Sequence, residues 1–352
     1  MAAVERLAPP ALAEGWDNSG LQVGDPAARA SRVLVALTPL PEVFDEAEET
    51  GADFLLLHHP LIFSPLKSVN TGSYPGDLMA RAISGNLTVY AAHTSYDAAP
   101  DGVSAALATA VGLRGPLEVV SPRGVLRKLV VFVPVEDAEA VSDALAGAGA
   151  GRIGDYTRCT FRSPGTGTFL PGEGSDPYLG ERGRLERVDE VRLETVVPAH
   201  LARAAVDAAT AAHPYEEVAL DVYPVEGVPE DCGYGRVGTL PEPLGPEELG
   251  SRISHSLGFP ARLVSGGNRG SIQRVAVLGG SGGSFIPEAA SSGADAYVTG
   301  DLDYHDALLA ESLGLAAVDP GHAATELPSL EPLARRLAEL VDVPVGVSQV
   351  RR

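Results

Sequence analysis

The chain has 352 residues, 45% hydrophobic and 21% charged, which is enough for about two domains with ordinary cores and too apolar for a disordered protein. With 26 basic against 47 acidic residues the formal charge is −21, which disfavours bulk electrostatic adhesion to nucleic acid or to anionic membranes. Cys159 and Cys232 form no disulfide framework and no thiolate zinc motif, no apolar run approaches a membrane span of about 18 residues, and Glu5 and Arg6 interrupt any signal-peptide core, so a reducing, cytoplasmic setting is expected.

Trp16-Asp17-Asn18-Ser19-Gly20 reads as a polar turn, with Trp16 as a packing anchor and Asp17 and Asn18 turning the backbone. Strands are predicted over Arg32–Leu37, Asp53–Leu57 and Leu87–Ala92, with helices over Pro41–Thr50, Leu78–Ile83 and Gly102–Val111 between and after them. Short apolar runs without strict alternation are the mark of buried parallel strands, and strand–helix–strand alternation points to a layered α/β domain. The middle of the chain has a different pattern: strand Lys128–Val135, helix Asp137–Ala146, a Gly- and Pro-rich stretch with hairpin-like pieces around Tyr156–Arg162, strand Glu190–Val197, helix Ala199–Ala212 and strand Val218–Val225. That order, β-α-β-β-β-α-β, is a split βαβ, ferredoxin-like α+β module. Turn residues at Ser121–Gly124 and Glu226–Pro229 bound it. The last 80 residues return to α/β alternation, with strands Arg274–Leu278, Ala296–Thr299 and Leu315–Val318, helix Tyr304–Ser312 and a final helix from Ser329 to Leu340. The expected organisation is one α/β core domain from residues 1–125 and 228–352, interrupted by an inserted module over 126–227.

Three predicted strands end in metal-binding residue types. His58 and His59 close the first, His93 and Asp97 follow the second, and His322 and Glu326 follow the third. The carboxyl edge of an open α/β sheet is where ligand sites form, so the three pairs converge if their strands adjoin in one parallel sheet. Imidazole nitrogens and bridging carboxylates suit two divalent ions in a hydrolytic arrangement, with Zn, Fe, Mn, Co and Ni all compatible. His93 reads as a residue behind the ligands, holding Asp97 or a water. The run Gly279–Ser284 reads as a structural turn or a cradle for a substrate anion. Asp301 reads as a helix N-cap and His305 as a residue that could line the pocket. His213-Pro214-Tyr215-Glu216-Glu217 reads as loop-closing structure, with a ligand cluster as the alternative.

Taken together, WDNSGLQVG, LLLHHPLIFSPLKSV, AAHTSYDAAPDGVSAAL, VAVLGGSGGSFI, ADAYVTGDLDYHDAL and VDPGHAATE resemble the GTP cyclohydrolase 1 type 2 homologue family, the Nif-three-like proteins. The resemblance implies a dinuclear centre formed by His58, His59, Asp97, His322 and Glu326, with Glu326 bridging. It also implies a toroidal homohexamer and, for the inserted module, a PII- or CutA-like fold, which would help cap each half of the ring. Thr38 stands where many members carry Asp, Ser95 where Asn is usual, and Tyr304 where a further His is common. The expected function is that of a metal-dependent hydrolase acting on a nucleotide-like, phosphate-bearing small molecule, with a metal-delivery or regulatory hexamer as the alternative. Within the site, His93, His305 and Asp301 are the candidates for supporting roles.

Overall fold

The computed structural model describes residues 1–122, 126–153, 156–225, 231–268 and 270–351. In chain order its strands are β1 (Gly20–Val23), β2 (Val33–Ala36), β3 (Phe54–Leu57), β4 (Thr88–Ala91), β5 (Arg114–Pro122), β6 (Leu126–Pro134), β7 (Thr160–Phe169), β8 (Glu186–Pro198), β9 (Leu220–Val225), β10 (Gly233–Leu244), β11 (Arg262–Gly266), β12 (Ile272–Ser281), β13 (Ala296–Gly300), β14 (Ala316–Asp319) and β15 (Val345–Val347). They form three sheets, in the orders β1-β4-β3-β2-β15, β11-β14-β13-β12-β10-β5 and β7-β8-β6-β9. The chain divides into two compact units, Met1–Arg123 with Asp231–Arg352, and Gly124–Glu230. The linkers expected around Ser121–Gly124 and Glu226–Pro229 fall largely on positions 123–125 and 226–230, outside the described residues.

In the first unit, β2, β3 and β4 are parallel and every one of their residues is buried. Their lack of alternation has a direct cause, since both faces of the sheet are covered. Leu34, Leu55, Leu57 and Val89 pack on one side with Val43, Phe44 and Leu78 from helices Pro41–Thr50 and Gly76–Ser84. Val35, Leu56 and Tyr90 pack on the other side in a cluster that includes Leu330, Leu333 and Leu337 of helix Leu330–Ala338. The same cluster holds Ala276, Leu278, Tyr297 and Ala317 of the second sheet. The condition of one shared parallel sheet is therefore not met. β12, β13 and β14 are parallel to one another, but they belong to a second sheet whose apolar face shares a core with the first. An apolar strand face is covered as well by another sheet as by a helix, and local sequence does not distinguish the two.

Arg236 on β10 is buried, and its guanidinium donates to the carbonyls of Gly233, Gly235, Ala99, Pro100 and Asp231. It thereby ties β10 to the segment just after Asp97, and burial lowers its pKa from the usual value.

In the second unit, β6 pairs antiparallel with both β8 and β9, and β7 extends the sheet beyond β8. Helices Ala138–Gly147 and Ala202–Ala212 cover one face, packing Val141, Leu145, Ala205 and Ala209 on Leu129, Val131, Val133, Leu193 and Val197. Among the described residues the order of elements is β-α-β-β-α-β, one strand fewer than expected. The predicted hairpin piece near Tyr156 makes only an isolated bridge between Ile153 and Tyr156, and β7 itself starts at Thr160. His213 bonds the Phe132 carbonyl through Nε2 at 2.9 Å, and the Tyr215 hydroxyl donates to Glu190 at 3.0 Å, so this motif closes a loop as expected.

Candidate metal centre

The site forms where the two sheets of the first unit meet. The N–H groups of His58 and His59 still donate to Ala36 and Leu37, so both residues continue the β2–β3 ladder before Pro60 ends it. Beyond β4, Ala92 donates to Leu57, and the short helix Thr94–Asp97 then turns Asp97 back towards the strand ends. After β14, Gly321 at φ 92° reverses the chain into the helix His322–Glu326, where i,i+4 spacing puts both side chains on one face.

Glu326 sits at the centre of the cluster. Its Oε1 lies 3.3 Å from His58 Nε2 and 3.1 Å from His322 Nε2, and its Oε2 lies 3.2 Å from His59 Nε2. Asp97 Oδ1 is 3.7 Å from His58 Nε2. The other nitrogen of each imidazole is engaged: His58 Nδ1 with the Ala92 carbonyl, His59 Nδ1 with Thr38 Oγ1, His93 Nδ1 with Asp17, and His322 Nδ1 with Asp301. Such anchoring by the remote nitrogen fixes ring orientation and leaves Nε2 as the free donor, which is how metal-binding histidines are held.

The donors fit divalent ions on a further observation. His58 Nε2, Asp97 Oδ1 and Glu326 Oε2 are buried, yet among the described residues no hydrogen bond of acceptable geometry reaches any of them. Leaving three polar atoms so is costly unless a cation takes their lone pairs. Two overlapping groups of donors lie within 4.8 Å of one another: His58 with His59 and His93, and His59 with His322 and Glu326. His93, expected behind the ligands, thus stands inside one of the groups, whereas Asp97 flanks His58.

The electrostatics follow from burial opposed by pairing. Burial would lower the His58 pKa, but the Asp97 and Glu326 carboxylates override it and carry it to about 9. His322 is raised to about 9 by its hydrogen bond to Glu326, against burial, with Asp301 adding to the rise. Burial works against ionised Glu326, but His58, His322 and His59 hold it well below the usual carboxylate range. Burial lifts Asp97 to about 6 despite His58. Asp17 is depressed in spite of burial, because His93, Ser19 and Thr94 all bond its carboxylate.

Several expectations change here. Asp301 is not the N-cap; Asp303 is, accepting from the N–H groups of His305 and Asp306. Asp301 instead adopts φ 59°, a left-handed conformation that Asp tolerates better than most residues, and spends its carboxylate on His322 at 2.7 Å. His305 is exposed, packs beside Tyr304 and does not line the cavity over the cluster. In Gly279–Ser284 the Gly279, Gly280 and Gly282 amides donate to Ser104, Thr325 and Gly300, so these three are engaged within the protein, as the structural-turn reading requires. The turn serves close approach. Gly280 sits at φ 75°, and a Cβ there would stand 2.7 Å from Glu326 Oε1. Trp16 is no buried anchor, being 63% exposed at a cavity of about 600 Å³ that His59, His93, Asp97, His322 and Glu326 also line. Asp17 and Thr38 hold site imidazoles, a role the sequence reading missed. The position of Asp17 beside an exposed aromatic in a polar turn was the available signal.

Asp301→Gly removes the carboxylate while keeping the left-handed backbone. It is expected to weaken binding of an ion at His322 by about 10–100-fold, as measured by calorimetric titration. Unchanged affinity would mean that Glu326 alone orients the ring.

A model of the Duf34/NIF3 (NGG1p interacting factor 3) family matches residues 1–352. Proteins named GTP cyclohydrolase 1 type 2 homolog are similar: that of Bacillus subtilis is 43% identical over 347 residues, 98% of this chain and 92% of its own length. That of Halalkalibacterium halodurans is 44% identical over 323 residues, 90% of this chain and 86% of its own length. Among solved structures, a Bacillus cereus protein related to NIF3 superposes with a TM-score of 0.84 at 43% identity, covering 99% of this chain and 95% of that one. A Staphylococcus aureus protein superposes with a TM-score of 0.74 at 28% identity, with the same coverage.

Proposed function

The chain belongs to the Duf34/NIF3 family, and on that premise we propose that it is a metal-dependent hydrolase whose dinuclear centre acts on a nucleotide-like small molecule, a GTP cyclohydrolase-type reaction being the leading candidate. The observation that carries this reading is the set of buried, unsatisfied atoms, His58 Nε2, Asp97 Oδ1 and Glu326 Oε2, at a cavity large enough for a small molecule. His58, His59, Asp97, His322 and Glu326 would hold the ions. Glu326 would bridge, because its two oxygens face different histidines. Divalent ions there supply Lewis acidity, polarising the bond under attack and bringing the pKa of water towards neutrality.

The chain's own groups do the rest. Asp17, held ionised, keeps His93 Nδ1 occupied, so His93 meets substrate through Nε2 and can hold or pass a proton there. Asp301 and Thr38 keep His322 and His59 from rotating. His59 and His322 are partly exposed to the cavity, which leaves substrate an approach that a closed storage site would lack.

Zinc-, manganese- and iron-loaded protein is to be incubated with a panel of nucleotides and related phosphate compounds, with products followed by chromatography. Metal-dependent hydrolysis of at least one purine nucleotide is expected, and tight metal binding with no turnover across the panel would favour a delivery protein instead. A closed homohexamer is the proposed assembly. Light scattering at moderate salt is expected to give a mass near six times the 36.3 kDa protomer, and a metal-loaded monomer at micromolar concentration would exclude the ring.

A further inference from the structure

Two large aromatic side chains stand uncovered at the cavity beside the donor cluster. Trp16 is 63% exposed and Phe63 is 56% exposed, and both line the cavity. Their ring centroids lie 6.1 Å apart with planes at 59°, and each meets the His93 ring edge-on, at 6.2 and 6.3 Å. Leaving such faces in water forgoes burial that would stabilise the fold, so their position beside the donors calls for a ligand that covers them.

The pair is also held in place. The Asn18 side chain donates to the Ile62 carbonyl at 2.6 Å, and Gln22 Oε1 accepts from the Ile62 N–H at 3.0 Å. Both backbone groups of Ile62, next to Phe63, are thus fixed, the carbonyl by the turn that carries Trp16 and the N–H by β1, which follows that turn. Asp17, between Trp16 and Asn18, binds His93 Nδ1 and both the N–H and the hydroxyl of Thr94. Three consecutive residues therefore have three tasks: Trp16 offers a ring face, Asp17 sets His93, and Asn18 sets Phe63. Rings ordered before binding lose little entropy when a ligand stacks on them.

We propose that Trp16 and Phe63 form a preorganised aromatic jaw that stacks on a flat heteroaromatic ring of the nucleobase kind and presents that ring's edge to His93 and the donor cluster. Stacking suits such a ring because every base has a π-face, whereas a sugar phosphate offers none. The surrounding carboxylates, Asp97 and Glu326, do not by themselves attract a phosphate, so the ring supplies the recognition that the protein makes with its own side chains. The inference rests on the hydrolase reading and specifies its substrate class.

Trp16 is the only tryptophan in the chain, so its emission reports on this lip alone. Full-length zinc-loaded protein is to be titrated with guanosine 5′-monophosphate and, separately, with ribose 5-phosphate. Saturable quenching by the nucleotide and none by the sugar phosphate are expected. Phe63→Ala, which keeps the reporter, should weaken the nucleotide about tenfold. By calorimetry, Trp16→Ala should do the same and Trp16→Phe should recover most of the loss, with zinc content unchanged in all three variants. Absence of saturable quenching, or variants that bind as tightly as the parent, would overturn the jaw. So would an emission already blue-shifted and closed to acrylamide in the purified protein, which would mean that another copy of the chain covers the lip. The two readings fail separately. Quenching with bound zinc and no hydrolysis supports the jaw and counts against the hydrolase, whereas hydrolysis without quenching overturns the jaw alone.

Discussion

Glu326→Gln is expected to reduce the metal content of protein purified without chelator from near two ions per chain to one or none. The glutamine keeps the shape of the side chain, so the helix His322–Glu326 should persist. An amide offers one neutral acceptor oxygen and cannot bridge two cations. Glu326 touches three imidazoles from both oxygens, so its loss reaches both donor groups. The affinity of at least one ion should fall by more than the roughly 100-fold that marks the upper end for a supporting residue such as Asp301. For a protein loaded at about 100 times Kd, stripping the ion removes about 2.7 kcal/mol of metal-linked stability. Elemental analysis and thermal melts with and without added zinc measure the two effects. Retention of both ions at unchanged affinity would exclude Glu326 as the bridge.

Deletion of the second unit is expected to leave a folded, metal-binding core but a smaller assembly. β5 and β10 are antiparallel neighbours, and Pro122 pairs directly with Gly233. Strand ends in that relation are joined by hairpin loops of about two to five residues, so a short Gly/Ser linker can replace what lies between them. All the proposed ligands lie in the first unit. Loop-closure entropy changes slowly with length, so the exchange should cost little stability. Two ions per chain should remain, while light scattering should show a mass below that of the full-length ring, because the proposed PII-like module would no longer cap it. A soluble deletion variant that binds no metal would refute the independence of the core.

The elements most legible in the sequence were those whose chemistry is local. The runs VLVA, FLLL and TVYA became β2, β3 and β4 because both faces of each strand are buried and every residue but Thr88 is predominantly apolar. The helix Pro41–Thr50 was marked by proline at its first position and by Gly51 in the left-handed conformation after its end. β10 was illegible: Gly-Tyr-Gly-Arg-Val-Gly-Thr-Leu-Pro-Glu-Pro-Leu carries the residues of turns, yet it pairs along both edges with β5 and β12. β5, largely exposed, shows no apolar run and exists because β10 lies beside it. Strand pairing of this kind overrides propensity, because the ladder and the shared core stabilise what the local residues do not.

The candidate site divides in the same way. Residue identity alone placed His58, His59, His93, Asp97, His322 and Glu326 at strand ends, and the 322/326 spacing put two of them on one helical face. It could not show that β14 lies in a different sheet from β3 and β4, nor that Glu326 stands between the histidines of both sheets. Those facts depend on which apolar faces share a core, a long-range choice among near-equivalent ways of burying the same side chains. Nor could it assign Asp17, because an aspartate in a turn caps or bends the backbone in most settings, and although Asp301 was a candidate for a supporting role, the imidazole it supports could not be named. Only the fold brings these two carboxylates within 2.7 Å of His93 and His322 and so converts turn residues into supports for the site.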